Sequence, residues 1–215
     1  TYRKPRILDQ LSRIEADVVC LQEVQVDLWE EFRDDMRDKL DYGQVVLQTM
    51  GRNHPVANAI LVKKDCRLRV VRTESRSRVL IAVLQSQIVE DEESENLAPI
   101  PPLYLANVHL EAGIDEDHVR LAQIRSLCKR LTRHVDGEDH PAIVFCGDFN
   151  TIRESPLYTF LQTGAYTLSD DDDYIHTEIH SPLLPLRDAY LELQGSDDDQ
   201  QMMSFRSGHL LDYLW

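Results

Sequence analysis

The stretch Ala142-Ile143-Val144-Phe145-Cys146-Gly147-Asp148-Phe149-Asn150 constrains this chain more than any other. Five apolar residues in a row predict a buried strand. The glycine, acid and amide behind them predict that it opens into a loop. A rigid strand with Asp-x-Asn at its tip holds two oxygen-bearing side chains. Strand alternation predicts that Asp148 and Asn150 point to one side. Gly147 allows a close backbone approach or a bend. A carboxylate and an amide on a fixed edge suit a hard cation and a phosphate. Asp and Asn also close strands for turn chemistry alone, so the motif needs company.

Charge argues against a simple polyanion binder. The chain of 215 residues carries a net charge of -15, and nucleic-acid surfaces are usually basic. The excess is local, in Glu90-Asp91-Glu92-Glu93-Ser94-Glu95, Asp170 to Asp173 and Asp197 to Asp199. Without those 12 acids the body holds 26 acids against 23 bases, a net of -3. Such runs read as solvated segments. Hydrophobic residues make up 42%, enough for one sizeable core, and no apolar run approaches the ~20 residues of a membrane helix. Cys20, Cys66, Cys128 and Cys146 are scattered without Cys-x-x-Cys spacing. They predict small buried hydrophobes rather than a disulfide or zinc site, and a reducing, intracellular compartment, the cytoplasm first, with an organelle or the nucleus left open. The start at Thr1, with neither an initiator Met nor an apolar leader, predicts a piece of a longer polypeptide.

Taken in order, helical spacing of Ile7, Leu8, Leu11 and Ile14 predicts a helix over 6–16. Val18-Val19-Cys20-Leu21 predicts a short strand that delivers Gln22-Glu23 at its end. Leu28, Phe32, Met36 and Leu40, four apart, predict a helix over 27–40. Strands follow at 43–48, 57–63, 68–73, 79–89 and 103–110, the last carrying Asn107 and His109 on one face. Leu121, Ile124, Cys128, Leu131 and Val135 stripe a helix over 115–135. Ser155 as N-cap, Pro156 behind it and Gly164 at the end bound another helix. A short helix is predicted over 186–193 and a last strand over 210–214. The expected domain plan is a single domain over 1–215, incomplete at both ends, with acidic loops at 90–102 and 167–185. Strands both adjacent and separated by helices predict a mixed-sheet α/β protein.

Four strand ends then share one design: Gln22-Glu23, Asn107-x-His109, Asp148-x-Asn150 and His209-x-x-Asp212. Leu21-Gln22-Glu23-Val24, Asn107-Val108-His109-Leu110, Cys146-Gly147-Asp148-Phe149-Asn150 and Leu211-Asp212-Tyr213-Leu214-Trp215 resemble, in order, boxes of the endonuclease/exonuclease/phosphatase superfamily. Ser155-Pro156-Leu157-Tyr158, with Tyr2-Arg3, Ile7-Leu8 and the closing Asp-Tyr-Leu-Trp, is similar to the CCR4, Angel and nocturnin branch of deadenylase-like enzymes. Asn58-Ala59-Ile60-Leu61 and Arg120-Leu-Ala-Gln123 fit other branches as well.

The resemblance implies a four-layered α/β sandwich of two mixed β-sheets flanked by helices, like that of DNase I. It implies a Mg²⁺-dependent phosphodiesterase, most like a 3′-exoribonuclease acting on RNA such as poly(A), with Mn²⁺ as the alternative cation. Glu23 would hold the metal, while Asp148 would orient or deprotonate the attacking water. Asn150 and His109, with Asn107 beside them, would contact the phosphate. Asp212 would orient a catalytic imidazole. His109 in another setting would be a satisfied core histidine; His118, His134 and His209 read as surface or structural residues. Trp29 and Trp215 read as packing.

Family members also begin with a strand bearing an Asn near the metal and finish in Ser-Asp-His. Neither lies in these residues, so the resemblance implies a sheet lacking its first and last strands and a chain that is not by itself a complete catalyst. Two rival functions stay open: a hydrolase of a small phosphorylated substrate, and a non-catalytic subunit that scaffolds protein partners in a larger assembly. Neither involves a membrane.

Overall fold

The computed structural model describes residues 3–49, 54–87, 100–135, 141–168, 177–181, 183–194 and 212–215. The chain falls into two compact units, one of Thr1–Asn107 with Pro141–Ile143 and one of Val108–His140 with Val144–Trp215.

In the first unit, α1 (Arg3–Ile14) and α2 (Trp29–Leu40) pack beside a three-stranded sheet of β1 (Val18–Gln25), β3 (Val56–Lys63) and β2 (Tyr42–Leu47), with β3 in the middle. Leu11, Met36, Leu40, Tyr42 and Leu61 form its core, joined by Leu8, Val19, Leu21, Phe32 and Val45. Of the four apolar residues expected to stripe α1, Ile7 and Ile14 are exposed. The inward stripe is therefore the narrower pair of buried Leu11 and partly buried Leu8. α1 ends at Glu15, whose φ of 54° turns the chain out of the helix while its N–H still bonds Leu11. Lys4 ties α1 to α2 through Glu31 and Asp35. A second sheet begins with the long hairpin of β4 (Leu68–Arg76) and β5 (Val79–Ser86), antiparallel throughout. Next to β5 runs β6 (Leu103–His109).

The hydrogen-bonded order of that sheet is β10-β7-β6-β5-β4, with β7 spanning Ala142–Asp148 and β10 Asp212–Leu214. In the second unit, α3 (Asp117–His134) buries Leu121, Ile124, Leu127, Cys128 and Leu131, four of the five predicted stripe residues with Leu127 added; the fifth, Val135, is buried at the C-cap. Burial is also what lifts the Cys128 thiol to about 11, so it stays protonated and acts as a small hydrophobe. None of the four cysteines forms a disulfide. α4 (Pro156–Thr163) has the caps read from the sequence: Ser155 Oγ accepts from the N–H of Tyr158, Pro156 opens the first turn, and Gly164 closes it at φ 76°. A Cβ on Gly164 would lie 3.1 Å from the Leu184 main chain.

Towards the end of the chain, two further stretches differ from the sequence-based expectation. Ala165–Leu168 (β8) and Thr177–His180 (β9) pair as an antiparallel hairpin, where a loop was expected from 167 onward. Four-residue strands between acidic runs carry too little pattern to be seen locally. The helix expected over 186–193 is α5 (Ala189–Gln194), displaced because Asp188 accepts the N–H groups of Tyr190 and Leu191 and so caps it. The acidic stretches 90–99, 170–173 and 197–199, and His209, lie outside the described residues. Among those described, no helix is long and apolar enough to cross a membrane.

Candidate active site

The predicted site residues of the second unit converge at the ends of β6 and β7. Leu110 N–H donates to the carbonyl of Asp148 at 2.9 Å, which fixes the two strand ends side by side. His109 and Asp148 are both partly buried, with His109 Nε2 3.9 Å from Asp148 Oδ2. The strand does not carry Asn150 to the same side as Asp148 by simple alternation, as expected from the sequence. β7 ends at Asp148, and Asn150 sits in the left-handed region at φ 49°. Asp148 Oδ1 accepts the N–H of Asn150 at 2.8 Å, and Asn150 Nδ2 donates to Leu110 O at 3.0 Å. An Asx turn thus replaces the next rung of strand. Gly147, at φ 120°, supplies the bend that a side chain would resist. Asp212 lies directly opposite Asp148 in the β10–β7 register.

The loop after His109 is held by a buried arginine that the sequence offered only as part of a helix motif. Arg120 Nε donates to Glu111 O at 2.8 Å and Nη1 to Asp117 Oδ1 at 2.7 Å, and Nη2 reaches Gly113 O. Gln123 Oε1 accepts the Glu111 N–H at 3.0 Å. Gly113 turns the loop at φ 116°. A guanidinium fork bonded to two carbonyls and a carboxylate fixes a loop as an ammonium cannot.

Glu23 and Asn107 belong to the first unit. β1 runs on through Gln22-Glu23 to Gln25 instead of stopping at Leu21, and its register against β3 slips between Leu21 and Val24. Glu23 sits in that slip at φ 56°, exposed. Among the described residues no hydrogen bond or ion pair engages its carboxylate. Asn107 is fully buried. Its Nδ2 donates to Leu21 O at 3.0 Å and Ala59 O at 2.9 Å, and its Oδ1 accepts from Gln22 Nε2 at 2.7 Å. Both amide hydrogens expected for a phosphate are therefore engaged by main-chain carbonyls.

No group of three or more His, Cys, Asp or Glu among the described residues is arranged to hold a metal. That rules out a ready-made protein cage within them. A bare, exposed carboxylate is nonetheless the donor a small hard cation takes when most of its shell is water and substrate phosphate, so Glu23 fits Mg²⁺. A cavity of about 340 Å³ beside α5 is lined by Gln162, Leu186, Arg187, Leu191 and Glu192 and includes none of these residues. Trp215 is buried against Tyr158, rings 4.8 Å apart, and Trp29 packs on Phe32.

Two sheets flanked by helices, with acid, amide and imidazole at the strand ends, are the architecture of a family whose name joins nucleases and phosphatases. The chain belongs to the Endonuclease/Exonuclease/phosphatase family, which it matches over residues 2–197. Among the proteins it is similar to are members of the Angel and CCR4 groups. It is 33% identical to human Protein angel homolog 2 over 180 residues, covering 76% of this chain and 31% of that protein. It is 29% identical to Carbon catabolite repressor protein 4 homolog 3 of Arabidopsis thaliana, covering 80% of this chain and 37% of that one. The chain thus spans about a third of the length of these relatives. The crystal structure of ANGEL2, a 2′,3′-cyclic phosphatase, in complex with adenosine-2′,3′-vanadate, superposes with a TM-score of 0.63 at 26% identity, over 75% of this chain and 48% of that one. The human nocturnin catalytic domain with bound sulfate gives a TM-score of 0.67 at 22% identity, over 100% of this chain and 73% of that one, and shares the fold.

Proposed function

We propose that the protein carrying this chain hydrolyses phosphodiesters of RNA with the help of Mg²⁺, removing nucleotides from the 3′ end. The observation that supports this most is the Asp148 carboxylate, with one oxygen fixed by the Asn150 N–H and the other facing His109 at 3.9 Å. A carboxylate oriented in this way can hold a water in line with phosphorus and take its proton. As the P–O3′ bond breaks, negative charge gathers on the phosphoryl oxygens, where His109 and Asn150 donate hydrogen bonds. Asp212 would orient a catalytic imidazole, the role that the family resemblance implies for it. The products are a nucleoside 5′-monophosphate and an RNA one residue shorter. Glu23 would hold the cation, which neutralises charge on the phosphate. Mn²⁺ would serve in its place.

A second reading is favoured by the ANGEL2 complex, whose ligand is an adenosine-2′,3′-vanadate. The same water delivery would open a 2′,3′-cyclic phosphate at an RNA end, breaking one P–O bond without shortening the chain. One assay separates them. The full-length natural protein and its Asp148→Ala variant are given 5′-labelled oligo(A) and an RNA ending in a 2′,3′-cyclic phosphate, with Mg²⁺ or with chelator. Metal-dependent shortening that vanishes in the variant supports the exonuclease. Loss of the cyclic end at constant length supports the second reading. Inactivity on both leaves the scaffolding role.

A further inference from the structure

Between Leu21, paired with Ala59, and Val24, paired with Ala57, β1 has two residues, Gln22 and Glu23, where β3 has one, Asn58. That is a β-bulge, and it puts Glu23 at a positive φ that a non-glycine residue adopts only when its surroundings impose it. At the last regular rung before the bulge, the carbonyls of Leu21 and Ala59 both accept from one side chain, Asn107 Nδ2, whose Oδ1 holds the bulged Gln22. Across from the bulge, Asn58 Nδ2 donates to Asn107 O at 3.1 Å, and the Asn58 N–H donates to Gln48 Oε1 at 3.0 Å. Gln48 Nε2 continues to the carbonyls of Arg76 and Val79 on the β4–β5 hairpin. Gln48, Asn58 and Asn107 are buried at 3%, 2% and 0% exposure, so water does not substitute for these bonds.

We infer that Asn107 is a positioning residue: its amide builds the Gln22–Glu23 bulge and thereby aims the Glu23 carboxylate at its cation. The consequence for metal rests on the function proposed above; the consequence for backbone geometry does not. Without the two donors, the Leu21 and Ala59 carbonyls are stranded in the core, and the cheapest repair is to move the bulge.

The test uses the full-length natural protein with Mn²⁺ as the probe, its binding followed by electron paramagnetic resonance, together with crystal structures. Asn107→Ala should weaken Mn²⁺ binding at least about 10-fold, the scale of losing a group that orients a metal ligand, and its structure should show Glu23 out of the left-handed region. Gln22→Ala, which deletes one bond of the network, serves if Asn107→Ala does not fold and should shift binding the same way. Leu131→Ala, a core cavity in α3, controls for lost stability and should leave Mn²⁺ binding unchanged. Retention of positive φ at Glu23 in the network variants would overturn the inference, as would an equal loss of Mn²⁺ binding in Leu131→Ala. Glu23→Gln separates the two layers. If it binds Mn²⁺ like the wild type, the metal role of Glu23 fails, and the crystal structures alone decide what Asn107 does.

Discussion

Asp148 and Asn150 are joined by a 2.8 Å hydrogen bond from the Asn150 main-chain N–H to the Asp148 carboxylate, and the bond divides the acid's work between its two oxygens. Oδ1 holds the turn, and Oδ2 faces His109. Structure and proposed chemistry thus meet in one side chain, and substitutions can separate them.

Asp148→Asn keeps an oxygen for the turn but has no basic carboxylate. Its unfolding midpoint should stay close to the wild-type value, while kcat/KM falls by about 10²–10⁴. Asp148→Ala removes the turn acceptor too and should cost a further ~1 kcal/mol of stability. Parallel denaturation and rate measurements on both variants check this. An equal stability loss in the two would remove the turn from the account.

Asn150 holds a φ of 49° that asparagine tolerates better than most residues. Asn150→Gly accepts that backbone but loses the bond to Leu110 O, whereas Asn150→Ala loses the bond and is strained as well. The alanine variant should unfold more easily than the glycine variant by about 1 kcal/mol, with both catalytically impaired. Urea titrations of the pair measure the difference.

Arg120 is the fastener of the loop behind His109. Arg120→Ala strands two carbonyls and should destabilise by about 2–4 kcal/mol. Arg120→Lys should recover only part of this, because an ammonium cannot match the fork. Amide exchange should speed up across 111–117 in both variants, read by mass spectrometry.

Tyr158, buried at 5% exposure, donates its hydroxyl to Asp188 Oδ2 at 2.8 Å, with Arg153 Nη2 on the same oxygen at 3.2 Å. Burial first, and then the Asp188 carboxylate, raise its pKa far above the usual tyrosine value. The unfolded chain ionises near pH 10 while the folded one holds its proton. The stability this group contributes is therefore complete below pH 10 and declines as pH rises beyond it. Tyr158→Phe should be less stable than wild type by about 1–3 kcal/mol at pH 8, and the gap should narrow at pH 10.5 and above. Denaturation midpoints at the two pH values test the sign.

What the sequence alone determined is whatever one segment can carry. Runs of apolar residues marked β1, β3, β5, β6 and β7. The 3- and 4-residue spacing marked α2 and α3, and Ser155, Pro156 and Gly164 marked both ends of α4. The polar boxes were legible for the same reason: each is a short local pattern, and their order resembled one superfamily. Tertiary structure alone decided how those boxes are used. Whether Gln22-Glu23 ends a strand or bulges from it depends on β3 offering one residue, Asn58, against two, and that register is set by pairing across more than thirty residues of chain. Likewise Asn107 and His109, two apart on one strand, part company. The first is sealed under Leu21 and Ala59, and the second stays half-open beside Asp148. Alternation along a strand tells which side a residue faces; only the packed partner decides whether that side is core or cleft.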